Sequence, residues 1–247
     1  MKMTCIGWWG AYPEAGGATS AYLLEHEGYR MLIDCGSGAV SHLQQHVNLA
    51  GLDAVLLSHR HHDHTADLGV LTYSRVVDMA LEHTAAPLTI AAPVSDRDFF
   101  ASYHREGSTE MMYYDVQDTL HLGNLVFTFQ ATKHPAPCAA VKVSDGKNTF
   151  VYTADTSYED KLATFAADAD LVIAEASFYA GQDAASFGHM TAEEAGIVAE
   201  KAQAKELWLT HLPHFGRHAQ LEEEASAVYT GVVKLAAEGR QRSWHEK

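Results

Sequence analysis

The stretch Ala54-Val55-Leu56-Leu57-Ser58-His59-Arg60-His61-His62-Asp63-His64 decides how this chain of 247 residues is read. Its apolar run is short and continuous, as in a strand buried on both faces. A cluster of imidazoles with one carboxylate follows at once. In extended backbone, residues two apart point to the same side, so His59 and His61 can grasp one cation together. Asp63 and His64 come after a turn and can present to a second cation close by. Such donors suit zinc, and manganese or iron as well. His62 alternates away from the pair and is expected at the surface. A merely solvated, histidine-rich turn would have the composition without the order H-x-H-x-D-H, and the order is present.

Upstream of this stretch, residues 2–8 read as a strand, 10–17 as a glycine-rich loop, and 19–25 with 29–33 as a hairpin. Residues 38–49 have helical spacing through Val40, Leu43 and Val47. Downstream, 68–83 are expected to be helical, 88–91 a strand, and 95–104 a helix capped by Ser95. Strands are expected at 125–131, 139–143 and 149–153, the last two joined by a turn at Asp145-Gly146. A helix over 160–167 and a strand over 171–174 follow. Next come a helix over 191–202 opened by the capping pattern Thr191-Ala192-Glu193-Glu194, a strand over 207–210, and an amphipathic helix over 221–238. Strands crowd the first part of each half and helices follow. That pattern points to an α/β protein, a four-layer α/β/β/α sandwich built as a single domain over 1–247. Polar clusters fall just past Leu57, Thr132, Thr153 and Thr210, at strand ends, where sites are usually built.

Lys and Arg total 17 against 32 Asp and Glu, for a formal net charge of −15 with no basic run. Gripping a nucleic-acid backbone requires neutralising its phosphates, so tRNA is disfavoured, while a small anion drawn to a bound metal is not. Cys5, Cys35 and Cys138 show no C-x-x-C spacing and are expected to be small buried side chains in a reducing compartment. The early apolar run is broken by Gly10, Pro13 and Glu14, short of a signal or a membrane span, so a cytoplasmic location is expected. The 16 histidines stand out, because imidazole is the commonest metal ligand.

The stretch at 59–64 resembles the signature of the metallo-β-lactamase fold superfamily. Thr132-Lys133-His134-Pro135, Tyr152-Thr153-Ala154-Asp155-Thr156 and Leu209-Thr210-His211-Leu212 resemble its later ligand motifs, in the same order. The resemblance implies a dinuclear centre. His134 would join His59 and His61 on the first metal, His211 would join Asp63 and His64 on the second, and Asp155 would bridge the two. Members acting on phosphodiesters, thioesters and lactones carry Asp at this bridging place, whereas true β-lactamases typically carry Cys. An aspartate can bridge two cations roughly 3.5–4 Å apart and leave a hydroxide between them as nucleophile. Asp63 would orient that hydroxide and serve as its base. Charge counting over two divalent ions, two carboxylates and a hydroxide leaves a positive site for a phosphodiester anion.

A finer resemblance is to RNase Z-like phosphodiesterases, through Ala174-Glu175-Ala176-Ser177 and Gly188-His189-Met190-Thr191-Ala192-Glu193-Glu194-Ala195. It implies that Glu175 orients His189 and that His189 protonates the departing oxygen, a sensible use of an imidazolium held by a carboxylate. The chain departs from the family at Ala174, where the family has His. It departs again between His134 and Asp155, where tRNA-processing members carry a long arm and this chain has room for a hairpin. The resemblance therefore points to the branch without the arm, with a small molecule or short phosphodiester as substrate and a homodimer as assembly.

Asp34, in Leu32-Ile33-Asp34-Cys35-Gly36, occupies a place that in relatives lies behind the metals. There it would receive a ring N–H from a ligand histidine; a turn aspartate before Gly36 is the alternative. Trp8 and Trp9, near Tyr12, are read as core and rim aromatics beside the pocket. His214 is near enough to His211 to line the mouth. His26, His42, His46, His83, His104, His121, His218 and His245 have no ligand-like context and are expected at the surface. The expected function is a zinc-dependent phosphodiesterase with two metal ions. The same metals would serve a hydrolase of lactones, thioesters or carboxylic esters, which has no need of Glu175 and His189. A non-catalytic metal-binding protein is the remaining alternative.

Overall fold

Continuous apolar runs become parallel strands buried along their whole length, as Ala54–Leu56 and Leu171–Glu175 show. Alternating runs become antiparallel strands with one covered face, as in Leu125–Ala131. A computed structural model describes residues 1–244. They divide into two units, Met1–Asp115 with 237–244, and Val116–Ala236.

In the first unit the order is β1 (Lys2–Gly7), β2 (Ala21–His26), β3 (Tyr29–Ile33), α1 (Ala39–Leu43), β4 (Ala54–Leu56), α2 (His62–Thr65), α3 (Leu68–Ala80), β5 (Leu88–Pro93), α4 (Arg97–Ala101) and β6 (Thr109–Tyr114). The second unit holds β7 (Thr119–Leu122), β8 (Leu125–Ala131), β9 (Ala139–Ser144), β10 (Thr149–Tyr152), α5 (Asp160–Phe165), β11 (Leu171–Glu175), α6 (Ala192–Lys201), β12 (Glu206–Thr210), α7 (His218–Val228) and β13 (Val232–Leu235). Then β14 (Gln241–Ser243) pairs with β1 in the first unit.

Each unit carries a seven-stranded mixed sheet, ordered β14-β1-β2-β3-β4-β5-β6 in one and β13-β12-β11-β10-β9-β8-β7 in the other. In the first, β14 to β3 pair antiparallel and β3 to β6 parallel. In the second, β7 to β10 pair antiparallel and β10 to β13 parallel. Parallel neighbours need a crossover, which is where the helices lie. Ile6, Leu23, Leu32, Val55, Leu57, Ile90 and Phe100 are fully buried in the first unit's core. Trp208, Phe127 and Phe150 do the same in the second.

Several local readings are corrected. Ser95 is not a helix cap: it lies inside the 3-10 turn Val94–Asp96, and α4 begins only after it. The helix read over 38–49 stops at Leu43, and Asn48 starts a separate 3-10 turn by accepting the N–H of Ala50 at 3.0 Å. That is the usual competition of an Asn side chain with helical bonding. The helix read over 221–238 ends at Val228. Tyr229 turns inward to donate to the Ala204 carbonyl at 2.7 Å, and the β-branched pair Val232-Val233 joins β12 as a parallel strand. Strands β6, β7, β13 and β14 were not foreseen. All three cysteines are free and buried, as expected, and burial pushes the thiols of Cys5 and Cys35 well up. Among the described residues, no helix is long and apolar enough to cross a membrane.

Candidate metal centre

In a sheet with parallel strands, ligands gather beyond the carboxyl ends of those strands. In the first unit, β4 runs parallel to β3 and β5 and releases Ser58 to His64 at its carboxyl end. The His59 ring centroid lies 4.7 Å from His61 and 4.2 Å from His64. His61 stands at the N-terminus of α2, whose single turn carries Asp63 and His64. His64 Nε2 is 3.7 Å from Asp63 Oδ2, and Asp63 Oδ2 also accepts the N–H of Ala11 at 2.9 Å.

Asp34, at the exit of β3, organises this group. Fully buried and in the left-handed region at φ 57, it accepts Ser58 N–H at 2.7 Å, Ser58 Oγ–H at 2.8 Å and His64 Nδ1–H at 2.6 Å. A hydroxyl has one proton, and that of Ser58 goes to Asp34. Ser58 Oγ must therefore accept the Nδ1–H of His59, 3.0 Å away. Both rings are thus fixed as the tautomer whose Nε2 offers a lone pair, which is how second-sphere partners prepare metal ligands. The ring-accepting role expected of Asp34 is what the geometry shows.

The second unit repeats this arrangement. Asp155 follows β10 and His211 follows β12, the latter at φ 54. Asp155 Oδ2 lies 3.8 Å from His134 Nε2 and 3.4 Å from His211 Nε2, so one carboxylate faces both rings. His134 Nδ1 donates to the Gly188 carbonyl at 3.0 Å. Glu175, at the end of β11 and 1% exposed, accepts Thr156 N–H at 2.6 Å, Met190 N–H at 3.1 Å, His189 Nδ1–H at 2.9 Å and Ser177 Oγ–H at 2.8 Å. With its proton on Glu175, Ser177 Oγ accepts the Nδ1–H of His211 at 2.8 Å. A buried carboxylate again holds one ring directly and a second through a serine.

These residues fit divalent cations. Within the first unit, His59 and His61 bring donor atoms within 4.8 Å of each other, as do Asp63 and His64. Within the second, His134 and Asp155 do so, and Asp155 with His211. Imidazole Nε2 and carboxylate oxygen at such spacing suit a divalent metal ion. Glu175, His189 and His211 also share donor atoms within 4.8 Å. Three participants escaped the sequence reading: Ser58, Ser177 and Gly188. Only a serine next to the first motif histidine, or two residues past Glu175, hinted at the first two. His62 is exposed, as expected, and so is His214; Trp9 is buried and Trp8 half-buried. His46, His83, His104 and His121 are at the surface, while His26, His42 and His218 are half-buried. Local partners draw two of these in: His42 meets Glu238 at 2.7 Å and His218 the Pro213 carbonyl at 2.7 Å. His245 lies outside the described residues.

Residues 29–212 match the family described as the Beta-lactamase superfamily domain. The chain belongs to that superfamily. It is 44% identical over 239 residues to a probable metallo-hydrolase of Bacillus subtilis strain 168, YhfI, covering 97% of this chain and 98% of the relative. The crystal structure of YhfI, a metallo-β-lactamase fold protein, matches with a TM-score of 0.94 at 42% identity and covers 98% of each chain. The short form of human tRNase Z shares the fold at a TM-score of 0.78 and 23% identity, covering 98% of this chain and 99% of its own. The chain therefore has the superfamily's α/β fold, with two mixed sheets flanked by helices, and is a metallo-hydrolase of that superfamily.

Proposed function

We propose that the chain is a zinc-dependent phosphodiesterase whose two metal ions are held by His59, His61, Asp63, His64, His134, Asp155 and His211. The donor chemistry supports this: each half supplies imidazoles with Nδ1 already committed, and Asp155 faces two of them. A bound metal pair supplies an activated water and positive charge for the phosphoryl oxygens. Asp63, its Oδ2 steadied by the N–H of Ala11, holds the attacking water and takes its proton.

The pairing of Glu175 with His189 at 2.9 Å carries the phosphodiester reading. An alkoxide leaves poorly unless it is protonated as it departs. Nδ1–H of His189 is anchored on a buried carboxylate, so Nε2 is the ring atom left to deliver a proton. The ring is 18% exposed and within 5.3 Å of His134 and 5.1 Å of His211, centroid to centroid. Between His134 and Asp155 the chain has only the strands β9 and β10, which suits a small or short substrate rather than tRNA.

Two phosphodiesters, one with a p-nitrophenyl and one with an alkyl leaving group, test the assignment on metal-replete protein. His189→Ala should slow the alkyl ester by about 10²–10⁴-fold and the activated ester far less. His61→Ala should abolish turnover of both. Equal losses on the two esters would remove His189 as proton donor. Turnover of lactones or thioesters with none of either phosphodiester would favour the carboxyl-ester reading.

A further inference from the structure

Beside His189 the second unit exposes aromatic rings on two loops, one before α6 and one between β12 and α7. Phe187 is 62% exposed and Phe215 48%. Half-buried Phe178 links them to the proton donor. Its centroid lies 6.2 Å from His189 with the planes at 35°, and 5.6 Å from Phe187 with the planes at 22°. Phe215 meets Phe178 edge-on at 6.4 Å. From His189 outward, Phe178 is tilted against the imidazole and stacked with the exposed ring of Phe187, with Phe215 edge-on at the side.

Both loops are held by hydrogen bonds. Phe187 closes the 3-10 turn Ala185–Phe187 with its N–H on the Ala184 carbonyl at 3.0 Å, and the N–H of His189 reaches the same carbonyl at 3.1 Å. Buried Tyr179 donates its hydroxyl to the Phe215 carbonyl at 2.9 Å and packs its ring 5.7 Å from that of Phe215. Holding apolar rings rigidly in water forgoes their burial and gains the fold nothing. Clustered rings of this kind mark a ligand surface.

We propose that Phe187 and Phe215, with Phe178 beneath, stack a nucleobase on the departing half of a nucleoside phosphodiester. The inference rests on the reading of His189 as proton donor, because the group it protonates is the one that lies along these rings. A flat, uncharged π-surface rewards a planar partner. It offers little to a sugar or a phosphate, and it accepts any base, since every base has a π-face.

The test is a calorimetric titration of the metal-loaded protein with adenosine 5′-monophosphate and with ribose 5-phosphate, which differ by the base alone. The nucleotide should bind about 5–100-fold tighter, the range that one stacked base supplies. Phe187→Ala and Phe215→Ala should each bring that ratio toward one, with ribose 5-phosphate affinity and melting temperature unchanged. Phe187→Leu, which keeps bulk without π-character, should lose most of it. Equal affinities in the unsubstituted protein would overturn the platform, as would a ratio that survives both alanine variants. So would variants that change sedimentation while the ratio stays, which would make the face a contact between copies. The two readings fail separately. No base preference in the unsubstituted protein, with its alkyl phosphodiester turnover intact, sinks the platform alone. A base preference in a protein that turns over no phosphodiester sinks the proton-donor reading.

Discussion

Ser58 and Ser177 do the same work in different halves of the chain. Each gives its proton to a buried carboxylate, Asp34 or Glu175, and takes the Nδ1–H of a histidine, His59 or His211. The ring is then held in orientation and tautomer before any cation arrives. Ser58→Ala and Ser177→Ala should each weaken metal binding by about 10–100-fold, read by competition with a chromophoric chelator. Unchanged affinity in both would show that the rings are oriented by something else. The histidines were legible in the sequence because H-x-H-x-D-H is a spacing with a geometric consequence. A lone serine carries no period and no charge, and its role depends on which strand ends beside it. Asp34 lay between: its place was readable, but the choice between a turn residue and a ring acceptor needed the 2.6 Å contact with His64.

At the scale of elements, site residues sit where the parallel strands end, and the backbone there is forced. Asp34, Ala154 and His211 have φ of 57, 50 and 54, a region that costs a non-glycine residue about 1–3 kcal/mol each. Gly188, at φ 79, turns the chain into His189, and a Cβ there would collide with Pro135 and come within 3.1 Å of His134 Nδ1. Gly188→Ala should therefore displace His134 and lower metal occupancy with little loss of helical content, as metal analysis and circular dichroism would report. Full occupancy would show that the loop adapts freely. Farther from the centre, Thr191 and Glu194 form a reciprocal capping box at the start of α6. Thr191→Ala should cost about 1 kcal/mol in denaturant unfolding. Strands such as β4 and β11 were legible because their apolar runs are continuous. By contrast, α7 and β13 share one apolar pattern, in which the change from period 3.6 to period 2 is hidden until Tyr229 turns inward. The short strands β7 and β14 lacked enough alternation to announce themselves, and so did the longer β6.

For the molecule as a whole, the two units share a plan that the two halves of the sequence do not display. Each sheet passes from antiparallel to parallel pairing, and each parallel part ends in a buried carboxylate, a serine and imidazoles. In one half the residues read Asp34 with Ser58-His59, in the other Glu175 with Ser177 and His211, so no repeat is visible in the chain itself. Ligands that bind only the folded state stabilise it by mass action, about 4 kcal/mol at a thousand-fold excess over Kd. A chelator should accordingly lower the melting temperature, and added zinc should restore it; an unchanged transition would mean that the donors hold nothing. The proposed function depends on these imidazoles and carboxylates being metal ligands. The most direct test is metal content by mass spectrometry, on the purified chain and on Asp155→Ala. About two divalent ions per chain are expected for the former and one or fewer for the variant. An active but metal-free protein, or a variant that keeps its full complement, would contradict it.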